Sequence, residues 1–455
     1  MALLMHRWIL ALLLSALWTI DCRAFSAEIS SLPGGHLQLG GQLLTFEDSS
    51  SLLTYEQVRD LPDSAFMPPQ GKVPNFGFSN AVYWARVELS SSRDTKVPVI
   101  LEYGYTSADL VDFYLSSPSG KLEVLKTGDT RPSSSYPIIY RMPAWPVDLE
   151  PGRSVLHVRI QSQGSIQFPL QIYEPRSFEF KRAGESAFLG AMYGIIAGLL
   201  FYNFGLFIFS RSPLVLIYCA FSASGLISKP LLHGFTNTLF YGYDLSWWNN
   251  TALMMSSIFV SSFGTVFTYI FLDVKKTNRW LIGSFGACLA FNVIRVGVTL
   301  VSYNLAVKFM VISVVLNMPL ILWAALWQIY HGHKLAKLFL LAWASLLFGG
   351  VLHSLTLAGY VPNMLLTEFG WTVGIVAENV LLSLALSFKL RNELSQALRE
   401  NKKINQQLIK KSVSDSFFSQ YIPRAAHTFE RNPGISRSRS RRSLRNDFGS
   451  GCAPN

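Results

Sequence analysis

The chain carries two successive patterns of apolar and polar residues. From Phe188 to Phe388, seven mainly apolar stretches follow one another, separated by short polar segments. Each stretch has about 20 residues, the length at which an α-helix crosses roughly 30 Å of hydrocarbon. The pattern therefore predicts seven membrane-spanning helices in a domain covering residues 186–389. The predicted spans are residues 187–209, 213–233, 248–272, 280–301, 305–329, 335–357 and 366–388.

The region before these spans alternates apolar and polar residues with a period of two. Runs of this kind occupy residues 83–89, 99–103 and 155–160, and turn-forming sequences such as residues 117–120 separate them. Short strands at this spacing indicate a β-sandwich or jelly roll, which we place at residues 28–178. The predicted fold class is a multi-domain membrane protein, with an all-β domain followed by an all-α seven-helix transmembrane bundle.

The first 24 residues are typical of a signal peptide. His6 and Arg7 precede the apolar run of residues 9–18, and Cys22 and Ala24 provide the small residues of a cleavage site. A secretory signal places the β domain outside the membrane, so it is called the ectodomain below. Once residues 1–24 are removed, the ectodomain contains no cysteine, and we expect no disulfide in it.

Basic residues in the short loops predict the same orientation. Most of them fall in the loops that would be cytoplasmic, as the positive-inside rule requires. We therefore expect a multi-pass protein of the bacterial inner membrane, with a periplasmic ectodomain and a cytoplasmic C-terminus. The inner loops hold Arg211, Lys275, Lys276, Arg279, Lys334 and Lys337, and the outer loops hold Lys229.

The composition agrees with a membrane protein. Half of the residues are hydrophobic and 15% are charged, whereas a typical soluble domain is ~25% charged. Much of the formal charge of +11 lies beside the apolar segments and in the C-terminal tail. It therefore indicates membrane orientation and contact with lipid, and we expect no nucleic-acid partner. No spacing of metal ligands is visible, and we expect no cofactor.

Five ectodomain residues are candidates for binding a ligand. Aromatic rings can stack on a sugar and arginines can meet an anionic group, but the same residue types also fill sandwich cores and solvated strand faces. Both interpretations stay open at this point, and the sequence does not identify the ligand. The candidates are Arg86, Tyr103, Tyr105, Arg141 and Trp145.

Polar residues are scarce within the predicted spans. Arg295 lies in the fourth span and Glu378 in the seventh, and an ionisable residue at membrane depth is a candidate for function. Both are candidates for signal relay, with structural pairing as the alternative. The first span contains Gly190, Gly194 and Gly198, a spacing that permits close packing of helices.

Several segments resemble a known family. NFGFSNAVYWARV at residues 75–87 resembles the opening motif of the outer sensor domain in bacterial seven-transmembrane receptors with diverse intracellular signalling modules. TGD at residues 127–129 and FPL at residues 168–170 are similar to the same domain. YN at residues 202–203 and AENVLLSLAL at residues 377–386 resemble the membrane domain of that family.

The resemblance covers roughly residues 40–390. It implies a jelly-roll sensor domain, similar to carbohydrate-binding modules, in front of a seven-helix membrane domain. Members of the family usually end in a histidine kinase, a cyclase, a diguanylate cyclase or a phosphatase. The resemblance therefore implies a signal-transduction receptor, and its ligand could be carbohydrate-like.

Beyond the seventh span, residues 390–415 show a short heptad pattern that predicts a cytoplasmic coiled coil. Asn401 occupies one of its core positions, and a polar core residue can fix the register and the dimeric state. Such a helix can pass a rotation or shift inward. We expect a homodimer through residues 390–411. The other core positions are Leu390, Leu394, Ala397, Ile404 and Leu408.

Residues 416–455 form a tail rich in serine and arginine towards its end. As written, the tail reads as a disordered basic segment that could contact anionic lipid. Codons permitted for residues 422–434, read one nucleotide later, spell Ser-His-Glu-Leu-Arg-Thr-Pro-Leu-Asn-Gly-Ile-Leu. That string resembles the phosphoacceptor box of sensor histidine kinases, so we expect a frameshifted kinase gene. His427 lacks the surroundings of a phosphoacceptor.

The sequence thus favours the sensory half of a two-component histidine kinase, with no catalytic domain in the chain as written. Its periplasmic ligand is unknown. One alternative is a stand-alone receptor that signals through a separate protein. A transporter is the less favoured alternative, because the spans show no path of ionisable residues.

Overall fold

The computed structural model describes residues 26–430, except residues 31, 69–70, 244–245, 277–278 and 358–364. The predicted signal peptide and residues 431–455 of the predicted tail lie outside the described residues. The chain forms a β-rich ectodomain followed by a bundle with seven apolar helices, which confirms the predicted fold class.

The ectodomain is a sandwich of two sheets. The larger sheet has the strand order β1-β5-β10-β7-β8, with β3 paired to β5. The smaller sheet has the order β2-β12-β6-β9, and β4 pairs with β11 beside them. The strands are β1 Ser26–Glu28, β2 His36–Gln38, β3 Leu44–Asp48, β4 Asn75–Phe78, β5 Val82–Ser91, β6 Val97–Tyr103, β7 Leu110–Ser116, β8 Leu122–Thr127, β9 Ala144–Leu149, β10 Gly152–Gln161, β11 Ser165–Gln167 and β12 Leu170–Tyr173.

Alternating apolar residues explain why the two sheets face each other. Successive side chains of a strand point to opposite faces, so one face can be apolar throughout. Ala85 and Val87 of β5 share one buried core with Val99 and Leu101 of β6, which belongs to the other sheet. Burial of this shared face stabilises the sandwich.

The outer face of the larger sheet is partly covered by a short helix, α1, Tyr55–Arg59. The Tyr55 ring stacks on Tyr114 of β7, with the ring centroids 4.7 Å apart and the planes 6° from parallel. The turn after α1 supplies Asp63, which forms an ion pair with Arg86 of β5. Arg86 therefore lies on this covered face and not in the core.

Seven helices in the described part of the chain are long and apolar enough to cross a membrane. They correspond to the seven predicted spans, although the first helix begins well before its apolar stretch. The seven helices are α2 Pro175–Ser210, α3 Pro213–Leu232, α5 Ser246–Phe271, α6 Arg279–Val301, α7 Tyr303–Tyr330, α8 Leu335–Leu357 and α10 Gly370–Glu430. Two short helices lie between them, α4 Thr236–Leu239 and α9 Leu365–Glu368.

The last helix is much longer than a membrane span. α10 has 61 residues and includes the whole heptad segment of residues 390–415. The predicted signalling helix ends at residue 415, whereas the structure continues the helix to Glu430. Residues 413–420 contain neither glycine nor proline, so no helix-breaking residue stops the helix there.

The glycine ladder of the first span does not make the close helix contact that its spacing predicts. A Cβ atom added at Gly190, Gly194 or Gly198 would meet nothing within 4 Å in the described part of the chain. The spacing of small residues permits close packing, but it does not supply a neighbour. Toward the described part of the chain, the ladder of α2 therefore faces open space.

Close contact occurs instead between α8 and α10. A Cβ atom at Gly349 of α8 would lie 2.3 Å from the carbonyl oxygen of Gly370 and 2.9 Å from the Cα atom of Gly374. Both of these atoms belong to the backbone of α10, so neither can rotate away. The crossing of these two helices therefore requires glycine.

Candidate functional site at the joint between ectodomain and membrane

The first membrane helix begins directly after the ectodomain, and its first turns carry charged side chains. α2 follows β12 at once, with Pro175 at its start, where proline is well tolerated. Lys181 and Glu185 lie four residues apart and therefore on one face of the helix. Both precede the apolar stretch, so this face meets the ectodomain and not lipid.

Five residues make up what we call the joint cluster: Glu102 of β6, Tyr140 and Arg141 before β9, and Lys181 and Glu185 of α2. Arg141 donates two hydrogen bonds to Oε2 of Glu185, from Nε at 3.1 Å and from Nη2 at 2.8 Å. Tyr140 donates to the same oxygen at 2.6 Å. Nζ of Lys181 lies 2.6 Å from both carboxylate oxygens of Glu102 and 3.5 Å from Oε1 of Glu185. Two cations thus balance two carboxylates.

Four residues of the joint cluster are buried, and Lys181 is half-buried. Glu185 is only 1% exposed. Burial opposes the charge of Arg141, but Glu185, Tyr140 and Glu102 together outweigh this effect and raise the pKa of Arg141. Burial and the Glu102 carboxylate raise the pKa of Tyr140, which stays a neutral donor. An unpaired buried charge is strongly destabilising. The residues of the joint cluster therefore stabilise the joint only when all of them are present.

A second contact joins the ectodomain to the loop between α3 and α5. Ser133 accepts a hydrogen bond from the backbone N–H of Gly242 at 2.8 Å. Gly234 has a φ of +75°, and a Cβ atom there would lie 2.3 Å from the carbonyl oxygen of Arg141. A residue with a side chain cannot approach so closely. The loop is therefore held against the segment that carries the joint cluster.

A polar seam, made of Asn203, Tyr218, Ser222, Asn379 and Ser383, connects α2, α3 and α10. Asn203 of α2 donates to Oγ of Ser383 in α10 at 2.8 Å. Tyr218 and Ser222 of α3 donate to the carbonyl oxygen and to Oδ1 of Asn379, each at 2.9 Å. Hydrogen bonds between helices hold them together in a lipid environment. The seam therefore links α10 to the helix that carries Lys181 and Glu185.

The two relay candidates within the membrane lie in different parts of the bundle. Glu378 of α10 is buried and interacts electrostatically with Lys229, which lies within α3 and not in an outer loop as predicted. Arg295 of α6 donates to Ser257 of α5 at 2.8 Å and to Ser313 of α7 at 3.2 Å. Glu378 thus lies beside the polar seam, and Arg295 ties three other helices together. Their part in signal relay stays a prediction.

The structure does not bring the five predicted ligand-binding residues to one place. Tyr103 and Trp145 lie in the core between the sheets, and Tyr105 packs against that core. Arg86 lies on the outer face of the larger sheet, and Arg141 belongs to the joint cluster. Their assignment as ligand contacts stays a prediction. Asn401 lies on an exposed part of α10.

The joint cluster contains three residues that no sequence pattern singles out as functional, namely Glu102, Lys181 and Glu185. The available signal is a lysine and a glutamate four residues apart just before an apolar span. In the described part of the chain, no group of three or more His, Cys, Asp or Glu side chains could hold a metal ion. The contacts of the joint cluster are ion pairs and hydrogen bonds.

Two family models match the chain, one for each domain. The model described as 7TMR-DISM extracellular 2 matches residues 40–174, and the model described as 7TM diverse intracellular signalling matches residues 185–389. None of the curated proteins compared with the chain matches it. The joint cluster lies across the boundary between the two matched regions, and the polar seam lies within the second. The chain therefore belongs to the seven-transmembrane receptors with diverse intracellular signalling, as a multi-pass membrane receptor with an outer sensor domain.

Proposed function

We propose that this receptor senses a ligand in the periplasm and relays the binding event to a histidine kinase domain in the cytoplasm. The joint cluster is the observation that carries the proposal. Arg141 belongs to the ectodomain and Glu185 to the first membrane helix, and they form a buried ion pair. Because breaking a buried pair costs about 3–5 kcal/mol, a shift of the Arg141 segment moves α2 with it.

The proposed ligand is carbohydrate-like, the class suggested by the resemblance of the ectodomain to carbohydrate-binding modules. Of the predicted contacts, we retain Arg86. Its guanidinium lies on an outer sheet face, 4.1 Å from the centroid of the Phe66 ring. Tyr103 and Trp145 are buried between the sheets, so a ligand would have to open the core to reach them.

The polar seam is the proposed route through the membrane. A shift of α2 acts on α10 through the hydrogen bond between Asn203 and Ser383. The same residues lie in the two membrane-domain segments that resemble the receptor family. Interior packing favours discrete arrangements over continuous deformation, so a small shift of α2 selects between two positions of α10.

The heptad segment of α10 is the proposed dimer contact. Leu394 is 63% exposed in the single chain, and Ile404 and Leu408 are also exposed. Two copies of residues 390–411 would bury these side chains against each other, with Asn401 fixing their register. A parallel pair of helices then carries the change to the output domain.

We place the receptor in the bacterial inner membrane with the ectodomain in the periplasm. The loop charges and the signal peptide support this orientation. Reporter fusions after Gly120 are expected to behave as periplasmic, and fusions after Lys403 as cytoplasmic. An alkaline phosphatase reporter, active only outside, and a fluorescent reporter, active only inside, measure the two positions. Cytoplasmic behaviour of the Gly120 fusion would reverse the proposed orientation.

The shifted reading frame supports a histidine kinase output. Deleting one nucleotide near codon 421 is expected to produce a chain that contains the phosphoacceptor box and autophosphorylates from ATP. The purified chain as written is expected to stay unphosphorylated in the same radiolabel assay. Replacing the histidine of the restored box by glutamine provides the control, because this change removes only the acceptor nitrogen chemistry.

A stop codon soon after the restored box would contradict the kinase output and favour a receptor that signals through a separate protein. In that case the basic tail becomes the contact with lipid or partner. Substituting its arginines by alanine would then reduce signalling, whereas under the frameshift hypothesis the same change has no effect. The arginines are Arg437, Arg439, Arg441 and Arg442.

A further inference from the structure

A further polar contact between ectodomain and bundle is built from two aspartates. Asp109 precedes β7, and Asp129 follows β8, so the pairing of these strands brings the two together. Gly128 has a φ of +132°, and a Cβ atom there would lie 2.2 Å from the carbonyl oxygen of Asp109. Only glycine permits this approach. The TGD segment that resembles the receptor family thus serves to place Asp129 beside Asp109.

Backbone hydrogen bonds fix this arrangement. The N–H of Asp129 donates to the carbonyl oxygen of Ala108 at 2.9 Å. The hydroxyl of Thr130 donates to the backbone carbonyl oxygen of Asp109 at 2.6 Å. These bonds fix the backbone at both aspartates. Asp109 is 7% exposed and Asp129 is 9% exposed. The two carboxyl groups are therefore held together in a buried place.

The two carboxyl groups are hydrogen-bonding neighbours of each other. Asp109 also accepts from the N–H of Gln163 and from Asn250 of α5. Oδ1 of Asp129 has no hydrogen-bond partner in the described part of the chain. Two carboxylate oxygens at hydrogen-bond distance repel each other unless a proton or a cation lies between them.

Four tyrosines in the described part of the chain interact electrostatically with the pair. These tyrosines lie in β6, in the segment after β6, between β8 and β9, and at the start of α7. No lysine or arginine in the described part of the chain acts on Asp129. Burial raises the pKa of Tyr105 to about 12, so this phenol stays neutral. The four tyrosines are Tyr103, Tyr105, Tyr136 and Tyr303.

We propose that Asp109 and Asp129 bind one proton between them at neutral pH, and that this proton-binding pair fastens the ectodomain to the outer ends of α5 and α7. Asn250 of α5 donates to Asp109, and Tyr303 of α7 interacts electrostatically with both aspartates. When the proton leaves to water, two adjacent buried negative charges remain. Their repulsion and their need for hydration then open the contact.

The sign of the pH effect follows from the direction of the shift. Burial raises the pKa of both aspartates above the value of an exposed carboxyl group. A group with a raised pKa in the folded state stabilises that state at low pH, and this stabilisation is lost as the pH rises through the raised value. The contact is therefore firmer in mildly acidic than in alkaline medium. A receptor whose ectodomain lies outside the membrane would respond in this way to external pH.

Infrared spectroscopy of the full chain in lipid nanodiscs tests the shared proton. The wild type is expected to show the carbonyl stretch of a buried protonated carboxyl group at pH 7. Asp129→Asn, which has the same shape and no titratable proton, is expected to lose that band. Asp112→Asn is the control, because Asp112 is buried but ion-paired with Arg131 and Arg159 and should give no such band. An unchanged spectrum in Asp129→Asn would overturn the proposal.

Hydrogen–deuterium exchange of residues 303–312 tests the contact itself. After correction for the intrinsic rate at each pH, exchange in the wild type is expected to increase from pH 6 to pH 9. Asp129→Asn is expected to abolish this increase, since its amide stays neutral throughout. A pH-independent wild type would overturn the proposal. So would a contact that only added calcium tightens, because the pair would then hold a cation instead of a proton.

Discussion

Replacing Arg141 by alanine is expected to detach the ectodomain from the first membrane helix. The change leaves the Glu185 carboxylate buried, with Lys181 shared between it and Glu102. Removing one partner of a buried ion pair costs about 3–5 kcal/mol. Hydrogen–deuterium exchange of residues 175–186 in nanodiscs should therefore increase strongly, and a frame-restored kinase should lose its response to the ectodomain.

Arg153→Ala is the matched control for this prediction. Arg153 also forms an ion pair within the ectodomain, 3.3 Å from Glu88, but its side chain is largely exposed. Exposed pairs contribute little to stability because solvent screens them. The control should leave exchange at the joint unchanged. Equal effects of the two substitutions would show that burial of the joint cluster has no special role.

A double substitution shows whether Arg141 and Glu185 stabilise the joint through each other or independently. Arg141→Ala/Glu185→Ala removes both charges of the pair, so neither is left buried without its partner. The loss of stability should therefore be smaller than the sum of the two single losses. Arg141→Lys keeps the charge but not the two-pronged contact with Oε2 of Glu185, and it should fall between wild type and alanine. Additive single effects would mean that the two side chains do not act through each other.

The sequence predicts the elements of this receptor better than it predicts their contacts. Hydropathy identifies the seven spans because lipid selects apolar residues over a fixed thickness. It does not reveal that α2 starts at Pro175, since the first turns of that helix lie beside the ectodomain and carry charge. Period-two alternation predicts the sandwich for a similar reason, because each strand must bury one face.

The joint cluster depends on long-range contacts that no local pattern encodes. Arg141 and Glu185 are separated by 44 positions, and Glu102 and Lys181 by 79. An arginine before a strand is typical of a solvated face or of a ligand site. A buried ion pair with Glu185 is a third possibility, which the sequence does not indicate because Glu185 lies beyond the domain boundary. Asn203 and Ser383 are likewise 180 positions apart, although both lie in segments that resemble the receptor family.

Replacing Gly349 by alanine is expected to force α8 and α10 apart. The added methyl group would lie 2.3 Å from the carbonyl oxygen of Gly370, well inside contact distance. Overpacking of this kind typically costs about 1–3 kcal/mol and more where backbone atoms must move. The variant should melt at a lower temperature in detergent, as measured by size-exclusion chromatography after heating. Because α10 carries the heptad segment, signal output should fall as well.

Gly194→Ala is the control for Gly349→Ala, because the space around Gly194 is open. Gly194 lies in the ladder of α2, where an added Cβ atom meets nothing within 4 Å in the described part of the chain. Alanine favours a helix over glycine by up to about 1 kcal/mol, so this variant should be as stable as the wild type or slightly more stable. If Gly194→Ala were as damaging as Gly349→Ala, the ladder would have to contact a second molecule. If Gly349→Ala were tolerated, the close crossing of α8 and α10 would be wrong, and a different pair of helices would have to hold α10 in place.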